Sequence, residues 1–298
     1  MKKVVITGAS SMLGLATIKK CLEHNVEIIA IARKHSARSF KIPVGESVTL
    51  IEADLEDLAT LDTGITDCDA FFHFGWGYTA RESRDNLDLQ MANVAYCLDA
   101  VRLANRMGCS VFVGAGSQAE YGIVTEEIFP DTEPNPVVAY GKAKLEAGRR
   151  SLELCKKLGM TCIWTRIFSV YGTNDVEGTM IKSAIIAFNA GETMHFSSGV
   201  QNWNFLFEED AGELFYSLAK TSPESGVYHV AGVESKPLKE FIFELAAVLG
   251  EDFKYELAPV DPDAAPAVSL IANMDKTIAA CGYTPSTAFT EGIKKVLG

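Results

Sequence analysis

Short apolar runs alternating with helix-length amphipathic segments constrain this chain more than anything else in it. Lys3–Thr7, Val26–Ala32, Val48–Ile51, Ala70–Phe74, Ser110–Val113 and Thr161–Phe168 each read as a strand. Between them lie a helix at Leu13–Leu22 and two long helices, Leu87–Met107 and Ala139–Leu158, the last two closed by Gly108 and Gly159. Strands that are apolar on both faces, separated by helices, belong in a parallel sheet covered on both sides. Right-handed crossovers then give a doubly wound α/β fold. After Gly172 the pattern changes to a helix at Ile181–Ala190, short strands at Met194–Phe196 and Asn204–Phe207, a helix at Leu238–Gly250, and a Pro- and Ala-rich tail over 259–285. A smaller, mixed C-terminal lobe is expected from these, and no internal repeat is visible.

Composition narrows the function. The chain has 298 residues, of which 48% are hydrophobic and 22% charged, an ordinary globular mixture. Its net charge of −12 makes nucleic acid and anionic membrane surfaces poor partners. No run approaches the length of apolar residues needed to cross a bilayer, and Met1-Lys2-Lys3 leads straight into a strand rather than a secretory segment, so a cytoplasmic protein is expected. Seven scattered cysteines, with no Cys-x-x-Cys pair, suggest reduced thiols and no metal site.

The first strand–helix junction reads Thr7-Gly8-Ala9-Ser10-Ser11-Met12-Leu13-Gly14. A glycine turn in this position suits a dinucleotide. Gly8 permits the tight turn, Gly14 lets the helix pack close to the strand, and the amides of Ser10, Ser11, Met12 and Leu13 face the pyrophosphate. The second strand ends in Arg33, with Ser36 and Arg38 following and no acid to accept from a ribose 2′-hydroxyl. Guanidinium groups match a 2′-phosphate, so NADP is expected ahead of NAD. Asp54, after the third strand, is placed either to meet the adenine amino group or only to cap the turn it starts, and Leu55 beside it is an expected cofactor contact.

Tyr140 and Lys144 stand four apart and share a helix face. An ammonium beside a phenol stabilises phenolate and lowers its pKa toward working pH, which makes a proton donor and acceptor for a carbinol or carbonyl oxygen. Ser117 follows the fifth strand at the carboxyl edge, where ligands of such sheets bind, and can donate to the same oxygen. A carbonyl-directed enzyme and a non-catalytic NADP sensor both fit a dinucleotide fold. The presence of Tyr140 and Lys144 together favours the enzyme.

These residues resemble the extended short-chain dehydrogenase/reductases, the NAD(P)-dependent epimerase/dehydratase family. The likeness extends to Phe71-Phe72-His73-Phe74-Gly75, to Arg166-Ile167-Phe168-Ser169-Val170-Tyr171-Gly172, and to Ser198-Gly199-Val200-Gln201 with Phe205–Asp210. It implies a Rossmann domain over 1–172 plus about 203–232, a substrate lobe over about 173–202 plus 233–298, a nucleotide-sugar substrate, and a homodimer built on the two long helices. It also implies that Phe74, Gly75 and Lys144 hold the cofactor, that Tyr140 is the acid/base and that Ser117 polarises the substrate oxygen. Trp76, Gln118, Glu120, Ser169 and Trp203 are the expected substrate contacts; an exposed turn residue is the other reading of Glu120. His73 reads as a core histidine. Gln118 and Ala119 replace the Asp-Glu pair of the family's 4,6-dehydratases, which removes the acid and base for water elimination. Trp203 stands where an arginine usually clamps the diphosphate. Resemblance to abequose-type and related 4-reductases, together with Arg33, favours a 4-keto reductase taking hydride from NADPH and a proton from Tyr140. A 4-epimerase that retains its NAD is the alternative.

Overall fold

The computed structural model describes residues 1–261 and 268–298; residues 262–267 of the Pro- and Ala-rich stretch lie outside. In chain order the elements begin β1 (Lys3–Thr7), α1 (Met12–Glu23), β2 (Glu27–Ala32), β3 (Val48–Glu52), β4 (Ala70–His73), α2 (Leu87–Arg106) and β5 (Val111–Ala115). They continue with β6 (Glu127–Ile128), α3 (Ala139–Leu158), β7 (Thr161–Ile167), β8 (Ser169–Tyr171), α4 (Met180–Ala190), β9 (Met194–Phe196) and β10 (Asn202–Phe207). The chain ends with α5 (Glu208–Thr221), β11 (Gly226–Val230), β12 (Ser235–Pro237), α6 (Leu238–Leu249), β13 (Tyr255–Leu257), β14 (Ile271–Ala272), α7 (Asp275–Cys281) and α8 (Phe289–Leu297).

Seven strands form one parallel sheet in the order β11-β7-β5-β4-β1-β2-β3. The order reverses direction between β1 and β4, which opens a crevice at the carboxyl edge. On one face Ile6, Ile28, Phe72 and Val113 pack with Leu15 and Ile18 of α1 and Leu214 and Phe215 of α5. On the other, Val5, Phe71 and Phe112 pack with Val94 and Val101 of α2 and Ala143 and Ala147 of α3. This is the doubly wound fold that the apolar runs imply. All seven cysteines are free and buried.

A third core, around Tyr171, Ile181, Ile185, Phe241, Leu245 and Ile293, joins α4, α6 and α8. Small sheets accompany it: β12-β10-β8, and β9 with β13. The expected strand Thr161–Phe168 forms as β7, ending one residue earlier at Ile167, and a further short strand follows it. The run Thr161–Phe168 pairs in the main sheet only through Ile167, and the backbone then turns at Phe168 so that Ser169–Tyr171 pairs with Phe205–Phe207. Among its described residues the Pro- and Ala-rich tail over 259–285 contains β14 and α7.

Candidate active site

The phosphate turn is built from backbone. Gly8 has φ of 65°, and a Cβ there would lie 2.8 Å from the Gly75 nitrogen and the Phe74 carbonyl carbon. A Cβ on Gly14 would lie 2.4 Å from the Gly8 carbonyl oxygen. Both glycines are therefore required by close approach. Ser11 caps α1, accepting from the Gly14 amide at 3.1 Å, and the first turn of α1 carries no acid to offset its positive end.

A groove of about 600 Å³ runs over this turn, lined by Gly8, Ser10, Ser11, Arg33, Arg38, Asp54, Leu55, Phe74 and Gly75. Ser10 shares a hydrogen bond with Ser36 at 3.2 Å. Arg38 donates through Nη2 to the Asn174 carbonyl at 2.6 Å, while its Nε is buried without a partner among the described residues. A side-chain-free cradle, a helix N-terminus and an unsatisfied guanidinium nitrogen fit a dinucleotide with an anionic end. Met12 opens α1 but is absent from the groove lining, so its expected contact is through the backbone at most.

The groove meets a second cavity, of about 830 Å³, at a wall shared by Phe74, Trp76 and Thr79. Ser117, Tyr140 and Lys144 line that cavity together. Ser117 follows β5 and caps a short turn, its hydroxyl accepting from the Ala119 amide at 3.2 Å. Tyr140 is the second residue of α3, and its amide donates to the Arg84 carbonyl at 3.0 Å. Lys144, one turn further on, is buried; its Nζ donates to the Ala115 carbonyl at 2.6 Å and sits 3.6 Å from the centre of the Trp76 ring. Burial pushes the Lys144 ammonium down to about 7.

The phenol departs from expectation. Burial raises the Tyr140 pKa, with the Arg84 guanidinium and a hydrogen bond from Ser117 acting against that rise. Lys144 Nζ stands 5.7 Å from the phenol ring centre, whereas the Arg84 guanidinium carbon stands 4.3 Å from it. Sequence reading missed Arg84, which belongs to a polar segment without periodicity. The available signal was its place between β4 and α2, at the carboxyl edge of the sheet.

The expected substrate contacts divide. Trp76, Gln118, Ser169 and Trp203 line the cavity, together with Phe168, Tyr171, Met180, Phe196 and Phe205. Glu120 does not, and both readings of it are corrected. It is fully buried behind Ser117, paired with Arg166 at 2.7 Å and accepting from Trp164 Nε1 at 3.0 Å and the Ser117 amide at 2.9 Å. A carboxylate paired with arginine inside the protein costs less than one left there alone, and this pair sets the Ser117 turn. His73 is a core histidine as expected: its Nδ1 lies 2.8 Å from Thr7 Oγ1, and burial pushes its pKa down to about 3.

A glycine cradle opening on a crevice that holds a tyrosine, a lysine and a serine defines an enzyme of the dinucleotide-using α/β class. The chain belongs to the NAD dependent epimerase/dehydratase family, whose profile it matches over residues 4–231. It is 25% identical over 265 residues to an uncharacterized protein of Saccharomyces cerevisiae, covering 88% of this chain and 84% of the yeast protein. An uncharacterized protein of Schizosaccharomyces pombe is 21% identical over 252 residues, covering 84% of this chain and 80% of that protein. Among solved structures, a UDP-N-acetylglucosamine 4-epimerase from Methanobrevibacter ruminantium M1 superposes with a TM-score of 0.86 at 19% identity, covering 99% of this chain and 98% of the other. MoeE5, in complex with UDP-glucose and NAD, gives a TM-score of 0.83 at 20% identity, covering 99% and 97%. A UDP-glucuronic acid 4-epimerase from Bacillus cereus, in complex with NAD, gives 0.83 at 17% identity, covering 99% and 98%. At these identities the likeness establishes the fold.

Proposed function

We propose that this protein is a nicotinamide-dependent oxidoreductase that reduces the 4-keto group of a nucleotide-linked deoxysugar. The observation that carries the reading is the placement of Ser117, Tyr140 and Lys144 in a cavity that joins the phosphate groove at the Trp76 wall. When bound in the groove, the cofactor supplies the hydride. The Ser117 hydroxyl donates to the substrate oxygen and orients it, and Tyr140 passes a proton to that oxygen. Lys144 holds the ribose side of the cofactor, and the aromatic wall around Trp76 and Phe168 excludes water. Arg33, Ser36 and Arg38, with no carboxylate at the end of β2, support a 2′-phosphate and hence NADP. NAD is the cofactor named in the complexes of MoeE5 and the Bacillus cereus enzyme. The C-terminal lobe would carry the sugar, and a second copy of the chain would pack on the outer faces of α2 and α3, where Leu87 and Met91 are exposed.

A second reading is a nucleotide-sugar 4-epimerase, and the 4-epimerases among the structural neighbours favour it. The same side chains would then oxidise and re-reduce one carbon with no net use of cofactor. One assay separates the two. Stripped protein is given NADPH or NADH with a panel of 4-keto nucleotide sugars, and loss of the nicotinamide absorbance is followed. A reductase consumes cofactor in proportion to product, and NADPH should outperform NADH. Interconversion of 4-hydroxy sugars without consumption makes it an epimerase. In Tyr140→Phe, turnover should fall by about 10²–10⁴-fold while cofactor binding persists. Undiminished turnover in that variant rejects the acid/base role. Cofactor binding with no turnover on any substrate would indicate a sensor.

A further inference from the structure

The groove and the cavity are joined a second time, away from the Trp76 wall. The segment between β2 and β3 carries Arg38, which lines the groove, and Lys41. The segment between β8 and α4 carries Asn174, followed by Asp175 and Thr179, which line the cavity. Arg38 and Asn174 stand 136 positions apart, yet Arg38 Nη2 donates to the Asn174 carbonyl at 2.6 Å. Lys41 Nζ donates to Asn174 Oδ1 at 3.1 Å. Asn174 is thus where a wall of the substrate cavity is fastened to the cofactor side.

The rest of that wall is tied to Asn174. Buried Glu208 accepts from the Thr173 amide at 2.9 Å and the Asn174 amide at 3.3 Å. Asp175 accepts from the Val176 amide and from the Thr179 hydroxyl, each at 2.8 Å, and so shapes the entry into α4. The Asp175 amide donates to the Gly172 carbonyl at 3.3 Å. Arg38, by contrast, is only partly engaged. Its Nε is buried without a partner among the described residues, and so is the neighbouring Ser39 hydroxyl. A buried donor without an acceptor is costly, and an anion in the groove would relieve that cost. A planar guanidinium can hold two acceptors at once in fixed geometry.

We propose that Arg38 couples the two halves of the site: a 2′-phosphate in the groove, accepting from the donors that Asn174 leaves open, fixes the guanidinium and through it the cavity wall from Thr173 to Thr179. The proposal rests on the 2′-phosphate reading given above. Arg38 is then a specificity-determining residue whose effect reaches the substrate lobe. A dinucleotide without that phosphate fills the same glycine cradle and leaves the guanidinium unanchored. Discrimination between NADP and NAD is therefore expressed in the order of the cavity wall as well as in cofactor affinity.

The test needs neither substrate nor turnover. Adenosine 2′,5′-bisphosphate and 5′-AMP differ by the one phosphate, and each is titrated calorimetrically and then added at saturation for amide hydrogen exchange. The bisphosphate should bind about 10–100-fold more tightly than 5′-AMP. It should slow exchange of the Thr173–Val176 amides about tenfold, whereas 5′-AMP should not. Strand β13, elsewhere in the lobe, should exchange alike with either ligand. In Arg38→Met the two affinities should come within about twofold and the slowing should vanish. Arg38→Lys should keep part of the affinity preference and none of the slowing, because an ammonium is a point charge without the planar fork. If the bisphosphate binds the parent no better than 5′-AMP, the 2′-phosphate reading fails and the coupling with it. If it binds more tightly but both ligands slow residues 173–176 equally, or neither does, the coupling alone is overturned. Slowing that survives in either Arg38 variant, or that spreads equally to β13, overturns it as well.

Discussion

Glu120 illustrates how a charge next to a reactive serine can be architectural. Its two oxygens meet Arg166, Trp164 and the Ser117 amide, and none of it reaches solvent. Replacing it with glutamine leaves the buried guanidinium without a counter-charge. Glu120→Gln should destabilise the protein by about 3 kcal/mol, read as a drop in the denaturant midpoint. A contact to substrate would instead raise KM and leave stability intact, so the two measurements separate the roles. Sequence made Ser117, Tyr140 and Lys144 legible because each lies at a fixed offset from a strand end or helix start. It could not show that Glu120 turns inward, since Arg166 and Trp164 lie more than forty positions away and meet it only after β7 pairs with β5. Nor could it show that Lys144 turns toward Trp76, because residues four apart share a helix face without necessarily sharing a partner.

At the scale of elements, the segment between β4 and α2 shapes the junction of groove and cavity, and α2 fastens it. Gln90 accepts from Trp76 Nε1 at 2.9 Å and donates to the carbonyls of Tyr78 and Ser83 at 2.8 and 3.1 Å. Asn93 accepts from the Gly77 amide at 2.6 Å. Gln90→Leu keeps the volume and strands three polar partners. It should cost about 1–3 kcal/mol and speed amide hydrogen exchange across residues 76–84, with α3 unaffected. The strand–helix rhythm of the first half was readable because its strands are apolar on both faces. The later elements were harder. Helix α5 begins with Glu208, Glu209 and Asp210, of which Glu208 and Asp210 are buried. Glu208 accepts from the Thr173 and Asn174 amides, and Asp210 from Tyr283 and the Thr287 amide, so acids that look like an exposed helix start hold distant loops.

For the molecule as a whole, two buried histidines contribute to the response to acid, beside carboxylates such as Glu209 that ion pairs hold low. Burial pushes His73 down to about 3 and His229 down to about 4. Both folded values lie below that of an unfolded histidine. As pH falls from about 6.5, the unfolded chain takes up protons that the native state refuses, and stability declines until the folded values are reached. The loss should approach about 1.4 kcal/mol per pH unit for each histidine between pH 6 and 4, measured as denaturant midpoint against pH. His73→Asn should flatten that slope by roughly one proton.

The cysteines supply an internal record of which layer of the sheet gives way first. Cys68, Cys97, Cys109, Cys155 and Cys162 lie in the layer under α2 and α3, and Cys21 and Cys281 in the layer under α1 and α5. A thiol-reactive dye added under native conditions can label only what breathes open. The ratio of five-set to two-set modification, read peptide by peptide, then reports the order of opening of the two layers without any engineered probe.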